Sequence, residues 1–165
     1  MPPYDFRNWL QAEAETAPLL LLFIGIPASG KSTFFHRVLE DRNMAYVSLD
    51  VLRTRAREKS AFDAAIAAHK SVVVDNTNVT MAFRARYIDP ANSAGYRVVG
   101  LFFQSVLADC LVRNEKREGK AKIKNAALFG MSAQLELPSM DEGFDNLFFV
   151  RIADGNFEID YWKDF

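Results

Sequence analysis

The chain of 165 residues predicts an α/β sandwich, with a mainly parallel sheet of about five strands and helices on both faces. Three observations carry this. Short apolar runs alternate along the chain with longer helix-like segments. The runs are continuous rather than alternating, as strands buried on both faces require. A glycine-rich turn follows directly on the first run and opens a helical pattern.

The elements follow in order. Tyr4 to Glu15 carries Phe6, Trp9 and Leu10 on one helical face, so residues 1–17 read as an N-terminal helical extension. Leu19 to Ile24 is the first buried strand, and "GKSTFFHRVLED" is the helix behind it. "AYVSLD" is a second strand ending at Asp50, followed by helical "VLRTRAREKS" and "FDAAIAAH". "SVVVDNTN" is a third strand running into a polar turn. Thr80 to Ala94 is helical, with Pro90 expected to break or kink it. "YRVVGLFFQ" is the fourth strand and "VLADCLVRNEKRE" the next helix. The basic stretch "GKAKIKN" follows, so about 113–125 reads as a helical lid. "AALFGMSAQLE" is a further helix, "LFFVRI" the fifth strand, and "FEIDYW" a short edge strand or tail.

Length suits one domain with its own core, residues 1–165. The formal net charge of −1 removes any global pull toward nucleic acid, although a local patch remains open. Cys110 is the sole cysteine, in a helix-like apolar pattern, and reads as a buried inert thiol in a reducing compartment. The longest apolar run, Pro18 to Pro27, is too short to span a bilayer. "MPPYDFRNW" has no apolar core, so it is no signal peptide. A soluble cytoplasmic protein with no membrane partner is expected.

"GIPASGKSTFF" holds the pattern G-x-x-x-x-G-K-[ST] at Gly25, Gly30, Lys31 and Ser32. Phosphate groups need converging N–H donors and positive charge. A glycine-rich turn opening a helix supplies both. A P-loop NTPase sandwich binding ATP and Mg²⁺ is therefore expected. The backbone from Gly25 through Pro27, Ala28, Ser29, Gly30 and Thr33 would cradle the nucleotide, with Lys31 on the β- and γ-phosphates and Ser32 on the metal.

No guanine-reading N-K-x-D accompanies the cradle, which argues against a switch GTPase. The length leaves no room for the helical domain of a remodelling ATPase. A small kinase remains. Asp50 is the general-base candidate, with helix capping as its plainer role. Asp75, ending an all-apolar strand, is the metal-side carboxylate, with a turn role as the alternative. Asn76, Thr77 and Asn78 offer neutral hydrogen bonds to a substrate. Arg113 and Arg117, four apart, lie on one helix face and would bring positive charge over the phosphates, unless they are only a solvated face. Arg53, Arg55, Arg57 and Lys59 form either a local basic stripe or a solvated helix.

Together these motifs resemble the P-loop kinase domain of polynucleotide 5′-hydroxyl kinases, most closely that of kinase–phosphatase repair enzymes. "GIPASGKSTF", "DNTN" with "RARYI" behind it, "RN" followed by "KR", and "PSMDEGF" occur in that family's order, covering roughly residues 20–152. The resemblance implies transfer of the ATP γ-phosphate to a 5′-hydroxyl end of DNA or RNA. Asp50 falls at the family's general base, Lys31 and Ser32 at its phosphate and metal contacts, Arg117 at its lid arginine, and Arg113 one turn earlier. Arg53 falls at an arginine that grips the phosphate beside the acceptor hydroxyl. Under this resemblance Arg84, in "RARYI", joins Asn76 and Asn78 on the substrate side. The chain departs from the family at Leu49, where an arginine often stands. The sequence names no partner repair enzyme. Two other readings share the cradle. One is a kinase for a nucleoside, sugar or antibiotic hydroxyl, and the other is a non-catalytic ATP-binding regulatory module.

Overall fold

The first strand explains the architecture. In Leu19–Ile24 (β1) every residue is buried. Successive side chains in a strand point to opposite faces. Leu19, Leu21 and Phe23 accordingly enter one core with Phe34, Phe103 and Phe148, while Leu20, Leu22 and Ile24 enter a second with Val74, Tyr87 and Phe102. A strand apolar on both faces must lie mid-sheet with a helix layer on each side.

The computed structural model describes residues 1–163; residues 164–165 lie outside the described residues. The sheet has six strands: β1, Ala45–Val47 (β2), Val72–Val74 (β3), Arg97–Phe103 (β4), Asn146–Ala153 (β5) and Asn156–Tyr161 (β6), in the order β2-β3-β1-β4-β5-β6. The first five are mutually parallel and β6 pairs antiparallel with β5. The expected edge strand is therefore a sixth strand. Asp154 and Gly155 carry φ of 50° and 74°, the backbone of a tight hairpin between β5 and β6.

Helix Pro3–Ala14 (α1) and the segment after the cradle cover one face; Phe6 and Leu10 anchor α1 there. Helices Arg55–Ala67 (α4) and Met81–Ser93 (α5) cover the other through Phe62, Ala65, Tyr87, Ile88 and Ala91. Helices Leu107–Glu115 (α6) and Asn125–Gln134 (α7) share a smaller core with Ile26, Ala28 and Val79, beside the cradle. Cys110 is buried in that cluster, and burial pushes its thiol up.

Several boundaries differ from the sequence reading. The helix behind the cradle is α-helical over Lys31–Phe34 (α2), opens into a π-helical turn at Phe35–Leu39 and tightens at Glu40–Arg42. The second strand stops at Val47. Asp50 lies in the separate short helix Leu49–Leu52 (α3). Pro90 neither ends nor splits α5. The helix runs on for three residues past Pro90, to Ser93. Helix α6 ends at Glu115, so Arg117 is in the following turn and does not share a helical face with Arg113.

The "RARYI" and "PSMDEGF" motifs meet in space. Arg84 is fully buried, its Nε and Nη2 donating to the two carboxylate oxygens of Glu142 at 2.7 and 3.1 Å. Its Nη1 donates to the carbonyls of Asn78 and Glu136, each at 3.0 Å. Glu142 also closes a capping box with Ser139. Arg84 thus locks α5 to the loop before β5, and the structure corrects its assignment to the substrate. Removing one partner of a buried ion pair strands the other charge, so Arg84→Ala should cost about 3–5 kcal/mol of stability. Urea unfolding checks this. Unchanged stability would return Arg84 to a ligand role.

Candidate active site

The cradle is the turn 25–30 between β1 and α2. Its entry is held from both neighbouring strands. The Gly25 N–H donates to the Thr77 carbonyl at 2.9 Å, and the Ile26 N–H donates to Ser105 Oγ at 3.1 Å. Ala28 and Gly30 both have positive φ, 65° and 101°. Alternating such residues with right-handed ones turns N–H groups inward. Gly30 suits that φ of 101° because it has no Cβ; an added Cβ would also press on Ile152 Cδ1 of the β5–β6 hairpin at 2.9 Å.

Lys31 is buried. Its ammonium donates to the carbonyls of Gly25 and Ile26, both at 2.9 Å, and to Ser29 Oγ at 3.4 Å. Burial is the main force lowering its pKa to about 8. Asp75 and Asp50 pull it up, and Arg117 pushes it further down. These four charges therefore share one electrostatic neighbourhood.

Ser32 Oγ donates to Asp75 Oδ2 at 2.8 Å. Asp75 is buried at the end of β3 and its N–H donates to the Val47 carbonyl of β2. The Tyr46 hydroxyl donates to the same Oδ2. Burial and the Asp75 charge raise the Tyr46 pKa, so this proton stays in place. A serine hydroxyl and a carboxylate are hard oxygen donors of the kind that hold Mg²⁺ alongside nucleotide phosphates. Among the described residues no group of three or more His, Cys, Asp or Glu could hold a metal alone, so a cation here would take the rest of its shell from nucleotide and water.

Strand β2 lies two places from β1, about 10 Å away at ordinary strand spacing. Asp50 and Arg53 sit at its carboxyl end. Both are exposed, and neither side chain makes a hydrogen bond or ion pair among the described residues. Arg53 has φ of 75°, uncommon for a residue with a Cβ. Asn76 holds this turn in place. Its Oδ1 accepts the Leu49 N–H at 2.9 Å, and its Nδ2 donates to Glu58 at 2.8 Å and to Tyr87 at 3.3 Å. Asn76 thus supports the Asp50 turn. Asn78 is buried and donates to the Phe23 carbonyl at 2.8 Å, so it too belongs to the scaffold and is corrected as a substrate contact. Asp50 caps no helix: Ser48 and Thr54 occupy those positions.

A cavity of about 280 Å³ opens beside the cradle, lined by Ala28, Gly30, Thr33, Arg37, Arg113, Arg117 and the β5–β6 hairpin at Ile152, Gly155 and Phe157. Arg113 donates to the Ala28 carbonyl at 3.0 Å, and Arg37 to the Gly155 carbonyl at 3.1 Å. Arg113 and Arg117 therefore converge on the cradle although they do not share a helical face. A second hollow of about 470 Å³, lined by Glu115, Gly119 and Lys122 to Asn125, holds none of the cradle residues. Among the described residues no helix is long and apolar enough to cross a membrane.

The sequence reading missed Arg37, Tyr46, Glu58 and the β5–β6 hairpin. The hairpin had a signal, the Asp154–Gly155 pair between apolar runs. The other three had none.

Cradle, buried lysine, serine–carboxylate pair and converging arginines define a P-loop nucleotide site of the kinase type. The chain belongs to the AAA domain family (AAA_33), whose model matches residues 20–138. It is 27% identical over 150 residues to a bifunctional polynucleotide phosphatase/kinase of Schizosaccharomyces pombe, covering 88% of this chain and 35% of that protein. It is 29% identical over 134 residues to a putative bifunctional polynucleotide phosphatase/kinase of Acanthamoeba polyphaga mimivirus, covering 78% and 32%. The chain thus spans about a third of the length of these curated relatives. Among solved structures, Chaetomium thermophilum Kti12 in complex with ADP-AlF3 shares the fold at a TM-score of 0.64 and 16% identity, covering 82% of this chain and 90% of that one. A gluconokinase from Sinorhizobium meliloti 1021 does so at 0.58 and 18%, covering 83% and 84%.

The depressed Lys31 pKa makes nucleotide binding pH-dependent. Below about pH 8 the free protein already carries the ammonium. Above it the amine is neutral, and bound phosphates draw the proton back. ATP affinity should therefore fall as pH rises beyond about 8, with proton uptake on binding. Calorimetry in buffers of different ionisation enthalpy measures this. Lys31→Arg, always protonated, should abolish the uptake.

Proposed function

We propose that the chain transfers the γ-phosphate of ATP to the 5′-hydroxyl end of a DNA or RNA strand. One observation carries the reading. Asp50 and Arg53 stand exposed, without a hydrogen bond or ion pair among the described residues, two strands from the cradle, on a turn that Asn76 holds from β3. The acceptor hydroxyl gives its proton to the Asp50 carboxylate as its oxygen bonds to the γ-phosphorus. The bond from that phosphorus to the bridging oxygen breaks, and ADP leaves. Arg53 grips the phosphate beside the acceptor hydroxyl. Lys31, Arg113 and Arg117 offset charge on the transferred group. The segment 113–125 acts as the lid that delivers the two arginines. Ser32 and Asp75 would hold Mg²⁺, which shields the phosphate charge, and Tyr46 keeps Asp75 oriented. The names of the two curated relatives support a polynucleotide acceptor. Exposure of Asp50, Val51 and Arg53 supports an acceptor that extends away from the protein.

A labelled-ATP assay tests this with 5′-hydroxyl oligonucleotides beside free nucleosides and sugars. Transfer to oligonucleotides is expected, and Asp50→Asn should lower kcat by about 10²–10⁴-fold while ATP still binds. Transfer to the small alcohols alone would establish the small-molecule kinase instead. ATP turnover that survives Asp50→Asn with no acceptor would leave a regulatory module.

Asp75→Asn should raise the Mg²⁺ concentration for half-maximal ATP binding by about 10–100-fold, as loss of a supporting carboxylate does elsewhere. Tyr46→Phe should shift it less and in the same direction. Calorimetric titration of ATP across a Mg²⁺ series measures both.

A further inference from the structure

Helices α4 and α5 run side by side over one face of the sheet, and their contacts form a ladder. Phe62 meets Tyr87 with ring centroids 5.1 Å apart. One turn nearer the helix starts, the Tyr87 hydroxyl donates to buried Glu58. At the next turn the Arg55 guanidinium lies 5.5 Å from the centre of the Phe83 ring. Both helices begin just after their strands' carboxyl ends, the edge that holds the cradle and Asp50. The last rung therefore stands on the acceptor side. A chain of hydrogen bonds ties it there: Arg55 donates to Glu58 at 3.1 Å, Asn76 donates to Glu58, and Asn76 accepts the N–H of Leu49, the residue before Asp50.

Phe83 carries a second cation. The Arg86 guanidinium lies 4.7 Å from the same ring centre. Phe83 is half-buried and Arg86 exposed, and Arg86 makes no hydrogen bond or ion pair among the described residues. Arg53, in the turn before α4, is equally uncompensated. Among the described residues Arg55 pairs with Glu58, whose carboxylate also serves Asn76 and Tyr87, and keeps about half its side chain, 52%, in solvent. A partly exposed ring with two guanidinium groups over it, and cations left over, is matched by a ligand that is both flat and anionic. A nucleotide strand is both; a sugar is neither.

We propose that Arg55, Phe83 and Arg86 form a stacking platform for the base of the second nucleotide of a single-stranded acceptor. This deepens, and rests on, the polynucleotide kinase reading. Order along the protein sets the register. Asp50 meets the terminal hydroxyl, Arg53 the phosphate after the first nucleotide, and Arg55, two residues after Arg53 at the start of α4, carries the platform next to it. Arg86 also meets a backbone phosphate.

The test compares kcat/KM for a short 5′-hydroxyl oligonucleotide with that for a nucleoside 3′-monophosphate, which has no second base. Phe83→Ala should reduce the oligonucleotide-to-mononucleotide ratio about tenfold, and Phe83→Trp should keep it. A substrate abasic at its second position should lose a similar factor with the wild type and nothing further with Phe83→Ala. Binding of a 3′-fluorescent oligonucleotide, followed by anisotropy, should lose about 0.7 from its log–log salt slope in Arg86→Ala. If the wild type phosphorylates oligonucleotides but the ratio and the abasic penalty ignore Phe83, the platform is overturned and the kinase reading stands. Equal losses on both acceptors in Phe83→Ala and Phe83→Trp also overturn it, because they mark packing alone. A wild type that neither binds nor phosphorylates oligonucleotides overturns both.

Discussion

One polar loop, Asp75 to Asn78 at the end of β3, ties β1 and the cradle on one side to β2 and the Asp50 turn on the other. The Thr77 carbonyl takes the Gly25 N–H and starts the cradle. Asp75 takes Ser32 from the first turn after the cradle and Tyr46 from β2. Asn76 takes the Leu49 N–H and fixes the turn that carries Asp50. Asn78 reaches back to the Phe23 carbonyl of β1 and is itself capped by Arg84. Phosphoryl transfer tolerates little error in the spacing of donor and acceptor. A loop bonded to both sides fixes the cradle relative to the Asp50 turn, which is the spacing the proposed transfer needs.

The loop can do this because β3 lies between β1 and β2. From its end short side chains and one carbonyl reach both the cradle and the turn that carries Asp50. The protein has taken a cost in burying polar groups there. Lys31, Asp75, Asn78, Glu58 and Arg84 are all buried. Each has a hydrogen-bonding partner, which makes such burial tolerable. Lys31 is the poised member. Its partners are carbonyls of the cradle itself, and its pKa is already depressed by burial. Incoming phosphates offer it a better partner than those carbonyls do.

Much of this was legible in the residues. The strand runs, the cradle and Asp75 could be read because each joins a chemical type to a place along or just after an apolar strand, whereas Asp50, read as ending β2, lies in the short helix beyond it. The acceptor and metal roles assigned from those places remain proposals. Arg84 misled because the resemblance of "RARYI" put a charged side chain on the substrate side. Nothing local announces that Glu142, 58 positions later, will bury it. Glu58 was hidden the same way inside "RTRAREKS". Tyr46 was hidden inside a strand, where its ring, stacked on Phe35 with centroids 4.0 Å apart, reads as apolar and its hydroxyl goes unnoticed.

By itself, then, the sequence determined the fold class and the triphosphate cradle, because both follow from short-range patterns: hydrophobic period, glycine placement and a lysine after them. Only the tertiary structure decided which polar residues face a ligand and which brace the frame. Burial and hydrogen-bond partnership depend on contacts between residues tens of positions apart. It also decided that Arg113 and Arg117 meet at the cradle from a helix and the turn after it, and that Arg55 and Arg86, from two different helices, both lie over the Phe83 ring.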